Sequence, residues 1–215
     1  EFMVSFEPIS VPSDCTLNVL SWDEFKEQGL NAGVAAMTEI ARREAAIQPN
    51  DLATIIYTSG TTGHPKGVML SHHNLLTNAV ATGKISFLEA GDVLLSWLPY
   101  SHIYARTVDH YLTTSSAIVV ALAESLETLV DDLKTIQPTW LTAVPRFYEK
   151  VWNNIKTLPH DERATMLRDL FGPRIKQLTS GGAPLPRHVC EAYFAAGLPL
   201  LEGYGLTESS PVIAF

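Results

Sequence analysis

The chain has 215 residues, of which 46% are hydrophobic and 18% charged, the balance of a globular protein able to bury a core in one domain or two small lobes. Its formal charge of -8, with no clustered basic face, argues against a nucleic-acid partner, because neutralising phosphates takes a grouped set of cations. No apolar run approaches the roughly 18 residues of a membrane-spanning helix, which leaves room only for peripheral membrane contact.

The two cysteines, Cys15 and Cys190, are too far apart in sequence to read as a paired metal motif or a disulfide framework, so a reducing, cytoplasmic setting is expected. Residues 1–49 read as an N-terminal segment. It begins with a Pro-containing extended stretch, continues through Ser21-Trp22-Asp23-Glu24-Phe25, and ends in an amphipathic run from Val34 to Ala46. Gln48-Pro49-Asn50-Asp51 is a turn into the first strong strand, with a domain boundary expected near Pro49.

From residue 50 to 215, short apolar or β-branched runs alternate with longer stretches of helical period. Strands are expected at Ala53 to Thr58, Val93 to Trp97, Ala117 to Leu122, Trp140 to Ala143, Ile175 to Ser180 and Leu198 to Leu201. Ser71 is placed to cap a helix running to about Thr82, with Leu75, Leu76, Ala79 and Val80 on its apolar face and Gly83 stopping it. Further helices are expected at Leu126 to Ile136, Pro145 to Lys156, Asp161 to Leu170 and Pro186 to Ala196. This alternation predicts an α/β fold: a mostly parallel sheet with helices on both faces.

One segment stands out chemically. Tyr57-Thr58-Ser59-Gly60-Thr61-Thr62-Gly63-His64-Pro65-Lys66-Gly67 follows the first strand and precedes a helical run. Its glycines let successive N–H groups turn toward one anion, the hydroxyls of Thr58, Ser59, Thr61 and Thr62 add donors, and Lys66 adds a mobile cation. It is not a Walker A loop, since Lys66 lies between Pro65 and Gly67, so kinase and GTPase readings lose support. A Gly/Thr-rich surface turn would account for the composition but does not need this set of hydroxyls, glycines and lysine in one short span.

The loop resembles the signature of the AMP-forming adenylating enzymes, which include acyl-CoA synthetases, luciferases and peptide-synthetase adenylation domains. Two later segments follow in the family's order. Thr179-Ser180-Gly181-Gly182-Ala183-Pro184 is similar to the family stretch whose small residues let adenine lie against the backbone, and reads equally as a Gly-rich strand-to-helix connection. Leu201-Glu202-Gly203-Tyr204-Gly205-Leu206-Thr207-Glu208-Ser209 resembles the second nucleotide motif. The resemblance implies that Tyr204 stacks on adenine, Thr207 contacts the α-phosphate and Glu208 holds Mg2+, with the Thr58 hydroxyl near the same ion.

Leu98-Pro99-Tyr100-Ser101-His102-Ile103-Tyr104-Ala105-Arg106 puts a histidine after a predicted strand, where ligands of α/β sheets bind. It resembles the family segment beside the acyl carboxylate, where His102 would orient that group. Together with Ala143 to Val151 it is more similar to fatty-acyl-CoA synthetases than to aryl-CoA ligases. The implied reaction activates a fatty acid with ATP as acyl-AMP and passes the acyl group to coenzyme A. An aryl-CoA ligase and a non-catalytic nucleotide-binding module are the alternatives. Only the central part of the family's large N-terminal domain is covered, the C-terminal lobe being absent, so the chain by itself is expected to bind nucleotide weakly and to catalyse poorly.

Overall fold

The structure, a computed structural model, describes residues 2–59 and 64–215. It divides into two compact units, Glu1–Gln48 and Pro49–Phe215.

In the first unit, β1 (Phe2–Ser5) runs parallel to β2 (Asn18–Ser21), followed by α1 (Trp22–Asn31) and α2 (Gly33–Ala46). Ser21 and Glu24 form a reciprocal capping box at the start of α1, each satisfying a backbone N–H that the first turn leaves free. Phe2, Phe6, Trp22 and Phe25 gather into one aromatic cluster.

The second unit opens with β3 (Leu52–Thr58), β4 (Lys66–Ser71) and α3 (His72–Ile85), then β5 (Val93–Ser96). A continuous helical stretch follows: α4 (Ile103–Ala105), a π-helical segment (Arg106–Leu112) and α5 (Thr113–Ser115). Next come β6 (Val119–Leu122), α6 (Leu129–Ile136), β7 (Trp140–Ala143), α7 (Pro145–Ile155) and α8 (His160–Phe171). The chain closes with β8 (Gln177–Ser180), α9 (Arg187–Ala195), β9 (Leu200–Glu202), β10 (Tyr204–Gly205), a 3-10 turn (Thr207–Ser209) and β11 (Val212–Ala214).

Five strands make one parallel sheet in the order β6-β5-β7-β8-β9. Its register sorts the core by alternation. Leu95, Leu141, Leu178 and Leu200 lie in one row and pack with Tyr148, Phe171 and Tyr193 from α7, α8 and α9. One residue earlier, Leu94 and Trp140 face the opposite side and pack with Ala79 of α3 and with Val108 and Leu112 of the π-helical segment. Every residue of β7 and β8 is buried, as expected of parallel strands covered on both faces. The predicted fold class is the observed one.

Two local expectations are corrected. The segment Ala53 to Thr58 is not part of the parallel sheet: β3 pairs antiparallel with β4 in a two-stranded sheet. The connection from Thr58 to Lys66 is too short for the crossover that parallel pairing requires, so the chain after the glycine-rich loop re-enters as a strand, not a helix. Gly83 does not stop α3, which continues to Ile85. A Cβ at Gly83 would meet Ser116 Oγ at 3.5 Å, an ordinary contact, so the position is a helical residue packed closely on its neighbour and has no capping role. The stretch after His102, to which the sequence assigns no element, is helical. Its β-branched and short polar residues Thr107, Val108, Asp109 and Thr113 give it little intrinsic helix preference, and burial of all four supplies what propensity lacks.

Candidate active site

The strands β5, β7, β8 and β9 end at Ser96, Ala143, Ser180 and Glu202, so the loops that follow them share the carboxyl edge of the sheet. That edge is where open α/β sheets bind ligands. A cavity of about 460 Å³ opens there. Its walls include Thr58, Ser59 and Lys66 from the β3–β4 hairpin, His102 from the loop after β5, and Gly182 from the loop after β8. Gly203, Tyr204, Gly205, Thr207 and Glu208 line it as well, as do Tyr104, Pro211 and Val212. Gly60, Thr61, Thr62 and Gly63 lie outside the described residues.

Thr58 and Lys66 are cross-strand partners in the β3–β4 register, so their side chains leave the same face of the hairpin side by side. Antiparallel pairing thus brings a hydroxyl and an ammonium together at the cavity mouth across eight positions of sequence.

His102 caps the helical stretch that follows it: its Nδ1 accepts from the Tyr104 N–H at 3.2 Å. An acceptor at Nδ1 puts the proton of the neutral ring on Nε2, which leaves Nε2–H as a donor. The loop carrying His102 is fastened by Arg106, whose Nε donates to Tyr100 O at 2.8 Å and whose Nη1 donates to Thr54 Oγ1 at 2.9 Å. Arg106 therefore ties the histidine loop to β3.

Tyr204 and Gly205 sit on β10, antiparallel to β11, and Thr207 and Glu208 form the turn between them. A side chain at Gly205 would put a Cβ only 2.0 Å from Pro211 O, so the close return of the chain demands glycine there. Gly203 donates its N–H to Ser180 O at 2.7 Å, and Glu202 Oε1 accepts from Leu185 N–H at 2.9 Å. These two bonds lock the loop after β8 to the loop after β9.

Gly181 and Ala183 line a different, neighbouring cavity of about 220 Å³. Its other walls are apolar, among them Leu98, Pro99, Ala105 and Val144, and it shares His102, Tyr104 and Gly182 with the larger cavity. His102 and Tyr104 thus stand between a larger, more polar space and a smaller apolar one.

Beneath this floor is Asp109, fully buried on the π-helical segment. Its Oδ2 accepts from Ser96 Oγ at 2.9 Å, while Oδ1 has no hydrogen-bond partner among the described residues. Burial pushes its carboxyl up to about 7, the Ser96 bond only partly offsetting the effect. Burial likewise raises the Tyr104 hydroxyl, and the nearby Asp109 carboxylate adds to the shift. The sequence places Tyr104 and Arg106 in the histidine segment without indicating what either touches, and it does not single out Asp109. Tyr104, Val108, Tyr111 and Leu112 recur at helical spacing, which marks a helix there but gives none of these residues a role.

Among the described residues no three His, Cys, Asp or Glu side chains cluster closely enough to hold a metal ion by themselves. Glu208 and the Thr58 hydroxyl on one cavity fit an ion that takes its remaining ligands from phosphate and water, as Mg2+ does.

The AMP-binding enzyme family model matches residues 9–215. A long-chain-fatty-acid–CoA ligase of Gallus gallus is 30% identical over 90% of this chain and 31% of its own length. The peroxisomal long chain acyl-CoA synthetase 6 of Arabidopsis thaliana is 32% identical over 95% of this chain and 33% of its own. The chain therefore spans about a third of the length of these relatives. Among solved structures, the inhibitor-bound N-terminal domain of FACL13 from Mycobacterium tuberculosis superposes with a TM-score of 0.67 at 25% identity, covering 90% of this chain and 45% of that one. ATP-bound MatB from Rhodopseudomonas palustris gives a TM-score of 0.63 at 31% identity, covering 76% of this chain and 31% of that one. Within the described residues no helix is long and apolar enough to cross a membrane. The chain belongs to the AMP-binding enzyme family, and the relatives it resembles include CoA ligases.

Proposed function

We propose that this chain is the nucleotide-gripping part of an AMP-forming ligase that activates a fatty acid with ATP and Mg2+ and delivers it to coenzyme A. The observation that carries the reading is the convergence of Thr58, Ser59, Lys66, His102, Tyr204, Thr207 and Glu208 on one cavity at the carboxyl edge of the sheet. The nucleotide-binding α/β region runs over residues 50–215, with residues 1–49 as a separate N-terminal segment.

In the first step an oxygen of the acid's carboxylate attacks the α-phosphorus, the bond from that phosphorus to the bridging oxygen breaks, and pyrophosphate leaves. Lys66, the Thr58 and Ser59 hydroxyls and the loop Gly60, Thr61, Thr62 and Gly63 hold the phosphates. Thr207 contacts the α-phosphate, and Nε2–H of His102 orients the carboxylate. Glu208, with the Thr58 hydroxyl nearby, would hold Mg2+, which would supply charge neutralisation for the departing pyrophosphate. Tyr204 stacks on adenine, with Gly181, Gly182 and Ala183 giving the backbone surface against which the ring lies. In the second step the thiol sulfur of coenzyme A attacks the acyl carbon, the acyl–phosphate bond breaks, AMP leaves and the thiol proton is lost. No protein nucleophile takes part, so rate enhancement comes from positioning and charge complementarity. A cytoplasmic location is the companion reading, resting on two separated cysteines; the relatives' names include peroxisomal and chloroplastic proteins.

The test is binding of non-hydrolysable acyl-adenylate mimics in which an acyl sulfamate, anionic at neutral pH through loss of its acidic N–H, replaces the acyl phosphate. A long-chain acyl mimic is expected to bind at least about tenfold tighter than AMP and tighter than the benzoyl mimic, a gain of roughly 1.4 kcal/mol or more. A benzoyl mimic binding best would make the protein an aryl-CoA ligase. Mimics no better than AMP would leave a nucleotide-binding module.

A further inference from the structure

Asn78 stands half-buried on α3, one residue before Ala79, which packs under Leu94 and Trp140. Its carboxamide reaches to the far end of the chain. Nδ2–H donates to Val212 O at 2.8 Å and to Ser209 O at 3.3 Å, and Oδ1 accepts from Val212 N–H at 3.2 Å. Exchange of both bonds with the N–H and C=O of one residue is the pattern of strand pairing, supplied here by a side chain. Thr107 adds a longer contact, its Oγ1 to Ser210 O at 3.5 Å.

The segment that Asn78 grips is the return arm of the Tyr204–Glu208 turn. Tyr204 pairs with Ala214 and Gly205 with Val212, and Leu206 N–H donates to Pro211 O at 3.1 Å. Ser210 holds a left-handed φ of 78°, a conformation that few residues other than glycine adopt without support from their surroundings. On its other side Asn78 belongs to the helix that follows β4 directly, and β4 begins at Lys66. One side chain therefore links the two walls of the cavity: the hairpin bearing Thr58 and Lys66, and the turn bearing Thr207 and Glu208. Asn78 itself does not line the cavity.

We infer that Asn78 is a positioning residue that sets the separation of these two walls, so that a nucleoside triphosphate long enough to touch both is gripped by both. This rests on the functional reading above. A ligand that meets only the Tyr204–Thr207 wall, such as AMP, is insensitive to the spacing, whereas ATP must satisfy it. Replacing Asn78 by aspartate keeps the acceptor for Val212 N–H but turns a second carboxylate oxygen toward the Ser209 and Val212 carbonyls, which removes the donor bonds with almost no change of shape.

The experiment compares the unmodified chain with N78D and N78S by Mg-ATP and AMP titration, with amide hydrogen exchange in the ligand-free protein and urea unfolding alongside. The expected result is faster exchange at Leu206 and Val212, with Leu141 and Leu178 unchanged. Mg-ATP affinity is expected to fall by at least about tenfold, the scale of one or two lost hydrogen bonds, with AMP affinity falling by less than about threefold. An equal loss for ATP and AMP, or no loss for either, overturns the inference and leaves Asn78 as an ordinary structural bond. Unchanged exchange at Leu206 and Val212 overturns it as well. If the unmodified chain binds neither nucleotide, the functional reading itself falls and this inference falls with it. Urea midpoints show whether either variant has lost global stability, and agreement of N78S with N78D separates loss of the donor from the added charge.

Discussion

The ring of Tyr104 fills the space that a side chain at Gly181 would need: a Cβ built on Gly181 would lie 2.7 Å from Cζ of Tyr104. Gly181 therefore admits a buried ring from the helical stretch after His102, and the smallness of the loop after β8 serves packing at that position. Gly181→Ala is expected to push Tyr104 off its seat, at a cost of about 1–3 kcal/mol, the usual penalty for overpacking a rigid site. Urea unfolding measures this. Because Tyr104 borders both cavities, the same variant is expected to weaken Mg-ATP binding, and an unchanged urea midpoint would contradict the packing argument.

Asp109 makes the fold sensitive to pH in the opposite sense to most carboxylates. Burial raises its carboxyl to about 7 in the folded chain, against 3.8 for an ordinary aspartate. Below pH 4 both states are protonated and the group has no effect. Between roughly pH 4 and 7 the unfolded chain ionises while the folded one stays protonated, so the Asp109 contribution to stability falls by up to about 1.4 kcal/mol per pH unit. Above about 7 the penalty is constant. Asp109→Asn, which keeps the shape and can still bond Ser96 Oγ, is expected to gain stability over the parent at pH 8 and little at pH 4. Parallel thermal melts at the two pH values check this, and equal differences at both would contradict it.

Ser71 and Asn74 form a reciprocal cap at the start of α3: Asn74 N–H donates to Ser71 Oγ at 3.2 Å, and Ser71 N–H donates to Asn74 Oδ1 at 3.0 Å. Ser71→Ala is expected to cost about 1 kcal/mol, as removal of a hydroxyl cap generally does. The measurement is the urea midpoint at unchanged slope. Since Asn78 lies two turns along this helix, hydrogen exchange at Val212 offers a second reading of the same loss.

Much of the parallel sheet was legible because its strands are short, apolar and separated by helical periods. Trp140–Ala143 was bounded correctly from sequence alone, since Gln137-Pro138-Thr139 before it and Pro145 after it mark both ends. β4 was not legible. Lys66-Gly67-Val68-Met69-Leu70-Ser71 alternates like a strand, with Val68 and Leu70 turned inward and Met69 outward, but its first residues also belong to the glycine-rich motif. The π-helical segment escaped because its helix rests on burial, not on propensity. Asn78 was invisible for a related reason: nothing near it in sequence indicates that its partner lies 134 residues away. Local pattern marks the residues that face the cavity, while the residues that hold its walls apart are set by tertiary packing.

Magnesium-dependent ATP binding to the unmodified chain, Lys66→Ala and Glu208→Ala, followed by calorimetry with and without Mg2+, bears most directly on the cavity at the carboxyl edge. Both side chains line it, and both are solvent-exposed, so their removal is expected to leave the urea midpoint unchanged. The expected result is ATP binding by the parent that strengthens with Mg2+, at least about tenfold weaker binding by Lys66→Ala, and loss of the magnesium effect in Glu208→Ala. Binding that ignores Mg2+ and both substitutions, or no binding by the parent, would contradict the assignment of this cavity to a nucleotide.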